Sequence, residues 1–145
     1  MELFISLLIS ILSFFFGGNA EEVTQPSSLT TTTAEVVRVV DGDTIVVQLD
    51  GEEQTIRYIG IDTPEPYRDG EPACFSLEAS LKNKELVQGK TVRLESDREN
   101  TDRYDRLLRY VYVGDTFVNA ELVKEGYAKT LTIKPNTAHA EQFST

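Results

Sequence analysis

The sequence predicts a mainly β protein with helices, in which a small closed barrel carries helices packed against it. Short runs of β-branched and aromatic residues recur along the chain and are separated by turn residues, which is typical of strands. One helical pattern lies between these runs, and a second follows the last long run. Closure into a barrel would also hide the strand edges, so we expect a barrel with helices rather than an open sheet.

Length and composition limit the functions that this chain can have. Its 145 residues suffice for one domain with its own core and not clearly for two. The formal net charge of −10 argues against broad electrostatic attraction to DNA or RNA, so nucleic-acid chemistry would need a local basic site or a bound cation. The single histidine and single cysteine exclude a Cys/His-rich metal site built from this chain alone. Cys74 is interpreted as a partly buried free thiol.

Residues 1–20 are predicted to be a secretory signal peptide. An apolar run from Leu3 to Phe16 is followed by small residues that end at Ala20, although no Lys or Arg precedes the run. The run is shorter than the roughly 20 residues that a spanning helix prefers, so an uncleaved membrane anchor is the second interpretation. We therefore expect a secreted protein, or one anchored by this segment. Residues 21–34, rich in Ser and Thr, are predicted to be a disordered linker.

The folded domain is expected over residues 35–137. Five strands are predicted, at residues 36–40, 44–49, 54–61, 91–96 and 107–113. Asp50-Gly51, between the second and third of these, is a strong hairpin signal. Pro64 and Pro66 end the third strand and begin a loop.

Two helices are predicted. The first begins near Ser76 and ends at Gly89, and its apolar side would consist of Leu77, Leu81, Leu86 and Val87. The second is short, with Asn119 as its N-cap and Lys124 as its last residue. Residues 138–145 read as a polar tail that would form, at most, the first turn of a C-terminal helix cut short by the end of the chain.

The first group of candidate site residues surrounds the predicted hairpin. Folding about Asp50-Gly51 brings Asp43 near Arg57, and Asp62 and Glu65 follow at the same end. Asp43 and Asp62, with a backbone carbonyl such as that of Thr63, are hard oxygen donors suited to a divalent cation. Strict strand alternation would place Arg57 and Asp62 on opposite faces, so a bulge near Gly60 or an early turn is needed. Taken singly, these carboxylates would be read as ordinary turn and loop residues.

The second group is the charged segment over residues 101–106, with the sequence TDRYDR. Standing alone, it would be interpreted as a solvated loop with surface ion pairs. The alternative is phosphate binding, because arginine guanidinium groups match phosphate oxygens and Tyr104 offers both a hydroxyl and a stacking face.

Five motifs occur in this order: VVDGDT from Val39, TIRYIGIDTPE from Thr55, TDRYDRLLRYVYV from Thr101, VNAELVKEGYAK from Val118 and KPN from Lys134. Together they strongly resemble the staphylococcal nuclease (thermonuclease) family, over roughly residues 35–136. The resemblance implies an OB-type five-stranded barrel with two to three helices. It also implies calcium-dependent hydrolysis of DNA and RNA to 3′-phosphate ends by a monomer that needs no stable protein partner.

The resemblance assigns roles to nine residues. The implied Ca²⁺ ligands are Asp43, Asp62 and the Thr63 carbonyl; the catalytic residues are Arg57, Glu65 and Arg106; the phosphate contacts are Arg103 and Tyr104; and Asp41 is a carboxylate behind the calcium ligands.

The chain also departs from the family pattern. Asp105 replaces a glycine next to Arg106, where it would pair with an arginine and weaken phosphate binding. Thr132 and Ile133 replace aromatic residues expected beside the base, and the family's C-terminal helix is nearly absent. Two alternatives remain open: a non-catalytic module of the same family that binds nucleic acid or protein, and a truncated product that folds poorly. The presence of both acidic and basic site residues argues against the binding module.

Overall fold

The computed structural model describes residues 29–66, 70–71 and 73–144. The predicted signal peptide and residues 21–28 of the predicted linker lie outside them. The described elements are β1 Thr31–Asp41, β2 Thr44–Leu49, β3 Glu52–Tyr58, β4 Ile61–Asp62, α1 Ser76–Val87, β5 Thr91–Glu95, β6 Leu107–Val113, β7 Thr116–Phe117, α2 Val118–Lys124 and β8 Lys129–Thr130, with a 3₁₀ turn at Ala140–Phe143. None of the helices described here is long and apolar enough to cross a membrane.

Five strands form a closed barrel. β3, β2, β1, β5 and β6 pair in that order, each antiparallel to its neighbour. Parallel pairing of β3 with β6, from Ile56 opposite Leu107 to Tyr58 opposite Arg109, closes the ring. The predicted barrel with packed helices is therefore confirmed, and it is consistent with the OB type.

The barrel closes around alternating apolar side chains. Residues two apart point inward on successive strands, and burying them removes apolar surface from water. The buried pairs are Ala34 and Val36, Ile45 and Val47, Ile56 and Tyr58, and Val92 and Leu94. This alternation explains why the existence of these strands was predictable from the sequence.

The first and third strands differ from the prediction. β1 begins at Thr31, so residues 31–34, predicted as linker, pair with β5. The threonines are β-branched and suit a strand, and Ala34 faces the core. The predicted third strand is interrupted: β3 ends at Tyr58, a turn follows, and β4 pairs with β8 instead.

Both helices bury polar residues that the sequence pattern did not indicate. Leu77 and Leu81, predicted for the apolar side of α1, are exposed, whereas Ser76, Ala79, Asn83 and Val87 face inward. Asn119 is not the N-cap of α2; it is fully buried in the first turn. Its side chain accepts a hydrogen bond from Val111 N at 2.9 Å and donates to Ile59 O at 2.8 Å. Asn119 thus ties the end of β3 to β6.

The C-terminal residues pack on the barrel. Phe143 is buried and lies against Phe117, with a ring-centroid distance of 5.5 Å. A Cβ at Gly60 would come within 2.3 Å of the Phe143 ring, so only glycine fits there. His139 pairs with Glu95 and packs edge-on against Tyr110. These contacts place the last described residues directly behind the turn that follows β3.

Candidate active site

A turn at Ile59-Gly60 brings Arg57 and Asp62 to one side. Gly60 has a φ of +81°, which a glycine adopts without a steric penalty. Arg57 Nη1 lies 3.1 Å from Asp43 Oδ2, and Arg57 Nη2 lies 3.1 Å from Asp62 Oδ1. Arg57 Nη1 also donates to the carbonyls of Tyr58 and Ile61. The early turn that this pairing required is present, and one guanidinium joins two carboxylates.

Asp43 is held rigidly by several donors. Only 4% of Asp43 is exposed, and its Oδ2 accepts hydrogen bonds from Thr63 N at 2.8 Å and Thr63 Oγ1 at 3.0 Å. Burial raises the pKa of Asp43, with the nearby Arg57 charge opposing that rise. Asp41 lies behind it and accepts a hydrogen bond from Asp43 N at 3.0 Å. Asp43, Arg57, Asp62 and Thr63 therefore form one connected cluster, supported by Asp41.

The second group forms a tight hairpin over residues 100–108, here called the arginine hairpin. Asp102 N donates to Arg106 O at 3.0 Å, and Asp105 N donates to Asp102 O at 3.1 Å. This pattern, with a left-handed residue before the second strand, is that of a three-residue hairpin loop. Asp105 is the left-handed residue, with a φ of +60°. The predicted loop is thus an ordered structure that presents Arg103 and Tyr104 at its tip.

Asp102 organises the tip of the arginine hairpin. Its Oδ1 accepts hydrogen bonds from the amides of Tyr104 and Arg106, and its Oδ2 accepts one from Arg106 Nε at 2.7 Å. Burial alone would raise the pKa of Asp102, but the hydrogen bonds from Arg106 and Tyr104 outweigh it and lower that pKa. Asp102 therefore stays ionised and fixes the direction of the Arg106 side chain.

The expected pairing of Asp105 with an arginine is not seen among the described residues, since Arg106 pairs with Asp102 instead. Asp105 instead occupies a backbone conformation that glycine adopts more easily.

Asp105→Gly should raise the free energy of unfolding by about 0.5–1 kcal/mol, because glycine carries no Cβ that opposes a positive φ. Thermal denaturation would show this as a rise in Tm of about 3 °C. Asp115→Gly, at an exposed turn position without a positive φ, is the matched control and should not stabilise the protein. A lower Tm for Asp105→Gly than for the unmodified chain would contradict this explanation.

The two groups meet at a cleft of about 400 Å³. Arg57 lines it from the β3 side, and Arg103, Tyr104 and Arg106 line it from the arginine hairpin. Leu131 and Ile133 form an exposed apolar wall of the same cleft. The cleft thus combines three guanidinium groups with an aromatic ring and an apolar surface.

Glu65 lies in a neighbouring pocket of about 330 Å³. Asp62, Thr63, Cys74 and Lys129 also line this pocket. Asp62 contacts Arg57 and lines the second pocket, so it lies where the two meet. Glu65 is therefore placed beside the predicted metal ligands rather than among the arginines. Cys74, predicted to be partly buried, is exposed.

The donor set suits a hard cation. Asp43, Asp62 and the Thr63 carbonyl supply oxygen only, which is the ligand type that Ca²⁺ takes in flexible geometry. Within residues 29–66, 70–71 and 73–144, no group of three or more His, Cys, Asp or Glu side chains is close enough to hold a metal ion. A cation here would therefore need main-chain oxygens and water beside the two carboxylates.

Comparison with known proteins identifies the family of this chain. The family model for staphylococcal nuclease homologues matches residues 55–145. A thermonuclease of Staphylococcus hyicus is 42% identical over 112 residues, which are 77% of this chain and 66% of the relative. A thermonuclease of Staphylococcus intermedius is 43% identical over 70% of this chain and 61% of the relative. The endonuclease YncB of Bacillus subtilis is 41% identical over 73% of this chain and 52% of the relative.

The chain belongs to the staphylococcal nuclease family. It spans between 52% and 66% of the length of these relatives.

Proposed function

We propose that this protein is a calcium-dependent nuclease that hydrolyses phosphodiester bonds of DNA and RNA and leaves 3′-phosphate ends. The observation that carries the proposal is the position of Arg57, held between Asp43 and Asp62 on the wall of a cleft that it shares with Arg106. The relatives named thermonuclease and endonuclease support the same activity. The signal peptide expected from the sequence makes secretion part of the proposal.

Asp43, Asp62 and the Thr63 carbonyl would hold Ca²⁺. When bound, the ion supplies Lewis-acid polarisation of a phosphate oxygen and neutralises its charge. The chain's own residues position the substrate around it. Arg103 and Tyr104, at the tip of the arginine hairpin, would contact the substrate phosphate through charge and a hydroxyl.

Glu65 would act as the general base. It lies on the Asp62–Thr63 side of the site, where it would take a proton from the water that attacks phosphorus. Arg57, which contacts Asp62, and Arg106 line the adjoining cleft and would stabilise the negative charge that grows on the phosphate and leaving-group oxygens. A guanidinium pKa above about 12 makes Arg106 an electrostatic group rather than a proton donor.

The acidic surface sets the expected salt dependence. With a net charge of −10, the cleft arginines supply local attraction within a repulsive overall field. We therefore expect weak, salt-sensitive substrate binding, seen as a KM that rises with ionic strength more than kcat falls.

Cleavage of a labelled single-stranded DNA, followed by mass spectrometry of the products, tests the proposal. We expect cutting in Ca²⁺, loss of cutting in EGTA, and fragments that carry a 3′-phosphate. Binding of the same DNA without cutting would instead identify a non-catalytic binding module.

A further inference from the structure

Arg109 is a buried charge that the proposed mechanism does not use. It lies on β6 with 9% of the residue exposed. In the part of the chain that the structure describes, no carboxylate oxygen lies within 4.0 Å of its guanidinium. Burial lowers the pKa of Arg109. Burying a cation without an anionic partner destabilises the fold unless hydrogen bonds compensate the lost hydration. The acceptors of those hydrogen bonds therefore indicate the role of Arg109.

The guanidinium of Arg109 is directed at the base of the arginine hairpin. Nη2 donates to Asn100 Oδ1 at 2.8 Å, and Nη1 donates to Asn100 O at 3.2 Å. Nη1 also donates to Leu108 O at 2.7 Å. One side chain thus joins the first and last residues of the hairpin.

The main chain of Arg109 reaches the other half of the site. Its carbonyl accepts a hydrogen bond from Ile59 N at 3.0 Å, and Arg109 is paired with Tyr58 across the barrel closure. Ile59 begins the turn that brings Arg57 to Asp62. Arg109 therefore contacts both segments that carry the cleft arginines.

Asn136 also holds the base of the hairpin, so Arg109 and Asn136 are here called the two clamps. Asn136 is buried, accepts a hydrogen bond from Glu99 N at 2.7 Å and donates to Glu99 O at 3.0 Å. Among the described residues, the tip makes local contacts: the hydrogen bonds to Asp102 described above, and the guanidinium groups of Arg103 and Arg106 at 4.8 and 5.4 Å from the centre of the Tyr104 ring. The direction in which the tip points is consequently set by the clamps at the base.

We propose that Arg109 is a positioning residue that, through Asn100, sets the arginine hairpin so that Arg106 and Arg103 face the cleft beside Arg57. The proposal rests on the nuclease function proposed above. It assigns to Arg109 an effect on catalysis without contact with substrate.

The test compares Arg109→Met and Asn100→Ala with Arg38→Met in the purified protein. Arg38 is an exposed arginine on β1, so its replacement changes the net charge equally away from the cleft. Arg109→Met should keep Tm within about 4 °C, because it removes a buried charge together with its hydrogen bonds. Hydrogen exchange at the Asp102 and Leu108 amides should accelerate about tenfold or more, and kcat should fall about tenfold or more. Arg38→Met should change neither.

Asn100→Ala provides a second route, since Asn100 is exposed and its replacement should leave the fold intact even if Arg109→Met unfolds. The double variant should be no worse than Arg109→Met, because the hydrogen bond that Asn100→Ala removes is one of the three that Arg109→Met removes. Unchanged hairpin exchange in Asn100→Ala, or activity losses that merely follow the folded fraction, would overturn the proposal. If the unmodified protein cuts no nucleic acid, the nuclease function fails, while the exchange rates still decide whether Arg109 holds the hairpin.

Discussion

Arg106→Lys is expected to lower kcat for single-stranded DNA cleavage by about 10²–10³-fold, with a small effect on Tm. Asp102 accepts the Nε hydrogen of Arg106 at 2.7 Å, which leaves the two Nη groups for the cleft. A guanidinium can donate to Asp102 and to the phosphate at the same time. The single ammonium group of a lysine would pair with only one of the two. Retention of charge alone therefore should not preserve turnover.

Steady-state kinetics with DNA, measured beside Arg38→Lys, would check this result. Arg38 pairs with Glu53 on the barrel surface, so the same substitution there should leave kcat unchanged. Near-normal turnover of Arg106→Lys would show that Arg106 supplies only a positive charge.

Glu65→Gln is expected to lower kcat by about 10²–10⁴-fold and to change KM little. Glutamine keeps the size of the side chain and loses its ability to accept a proton from water. Glu65 is exposed in the pocket that Asp62 and Thr63 also line, so no buried contact is lost with its charge. The stability of the fold should consequently remain unchanged.

Glu71→Gln is the matched control for Glu65, because Glu71 is another exposed acid before α1. Its kcat should equal that of the unmodified protein. A rise in KM without a fall in kcat for Glu65→Gln would exclude Glu65 as the general base.

The barrel was predictable because its evidence is local. Alternating pairs such as Ile45 and Val47 bury one face of each strand, and that periodicity is visible in any short window. The inner face of α1 was not predictable in this way. Asn83 faces inward because it accepts a hydrogen bond from Tyr58 OH and donates to Asp41 O, residues that lie 25 and 42 positions away. Leu77 and Leu81 are left on the exposed face.

The candidate site, too, was predictable only where the evidence in the sequence is local. The approach of Asp43 to Arg57 followed from the Asp50-Gly51 hairpin, and the need for a turn at Gly60 followed from strand alternation. The pairing expected between Asp105 and an arginine is not seen among the described residues, because the hairpin loop directs Asp102, rather than Asp105, to Arg106. The clamps made by Arg109 and Asn136 depend on tertiary contacts. In the sequence, Arg109 is visible only as a charged residue within an apolar strand, and Asn136 only as part of the KPN motif.

Metal dependence of DNA cleavage tests the central claim most directly. The purified protein would be incubated with single-stranded DNA in Ca²⁺, in EGTA, and in EGTA with Ca²⁺ restored. The proposed site predicts cutting in the first and third conditions and none in the second, because two carboxylates and a carbonyl require a hard cation to engage the phosphate. Equal cutting in EGTA, or none in Ca²⁺ by a protein that melts cooperatively, would contradict a calcium-dependent nuclease.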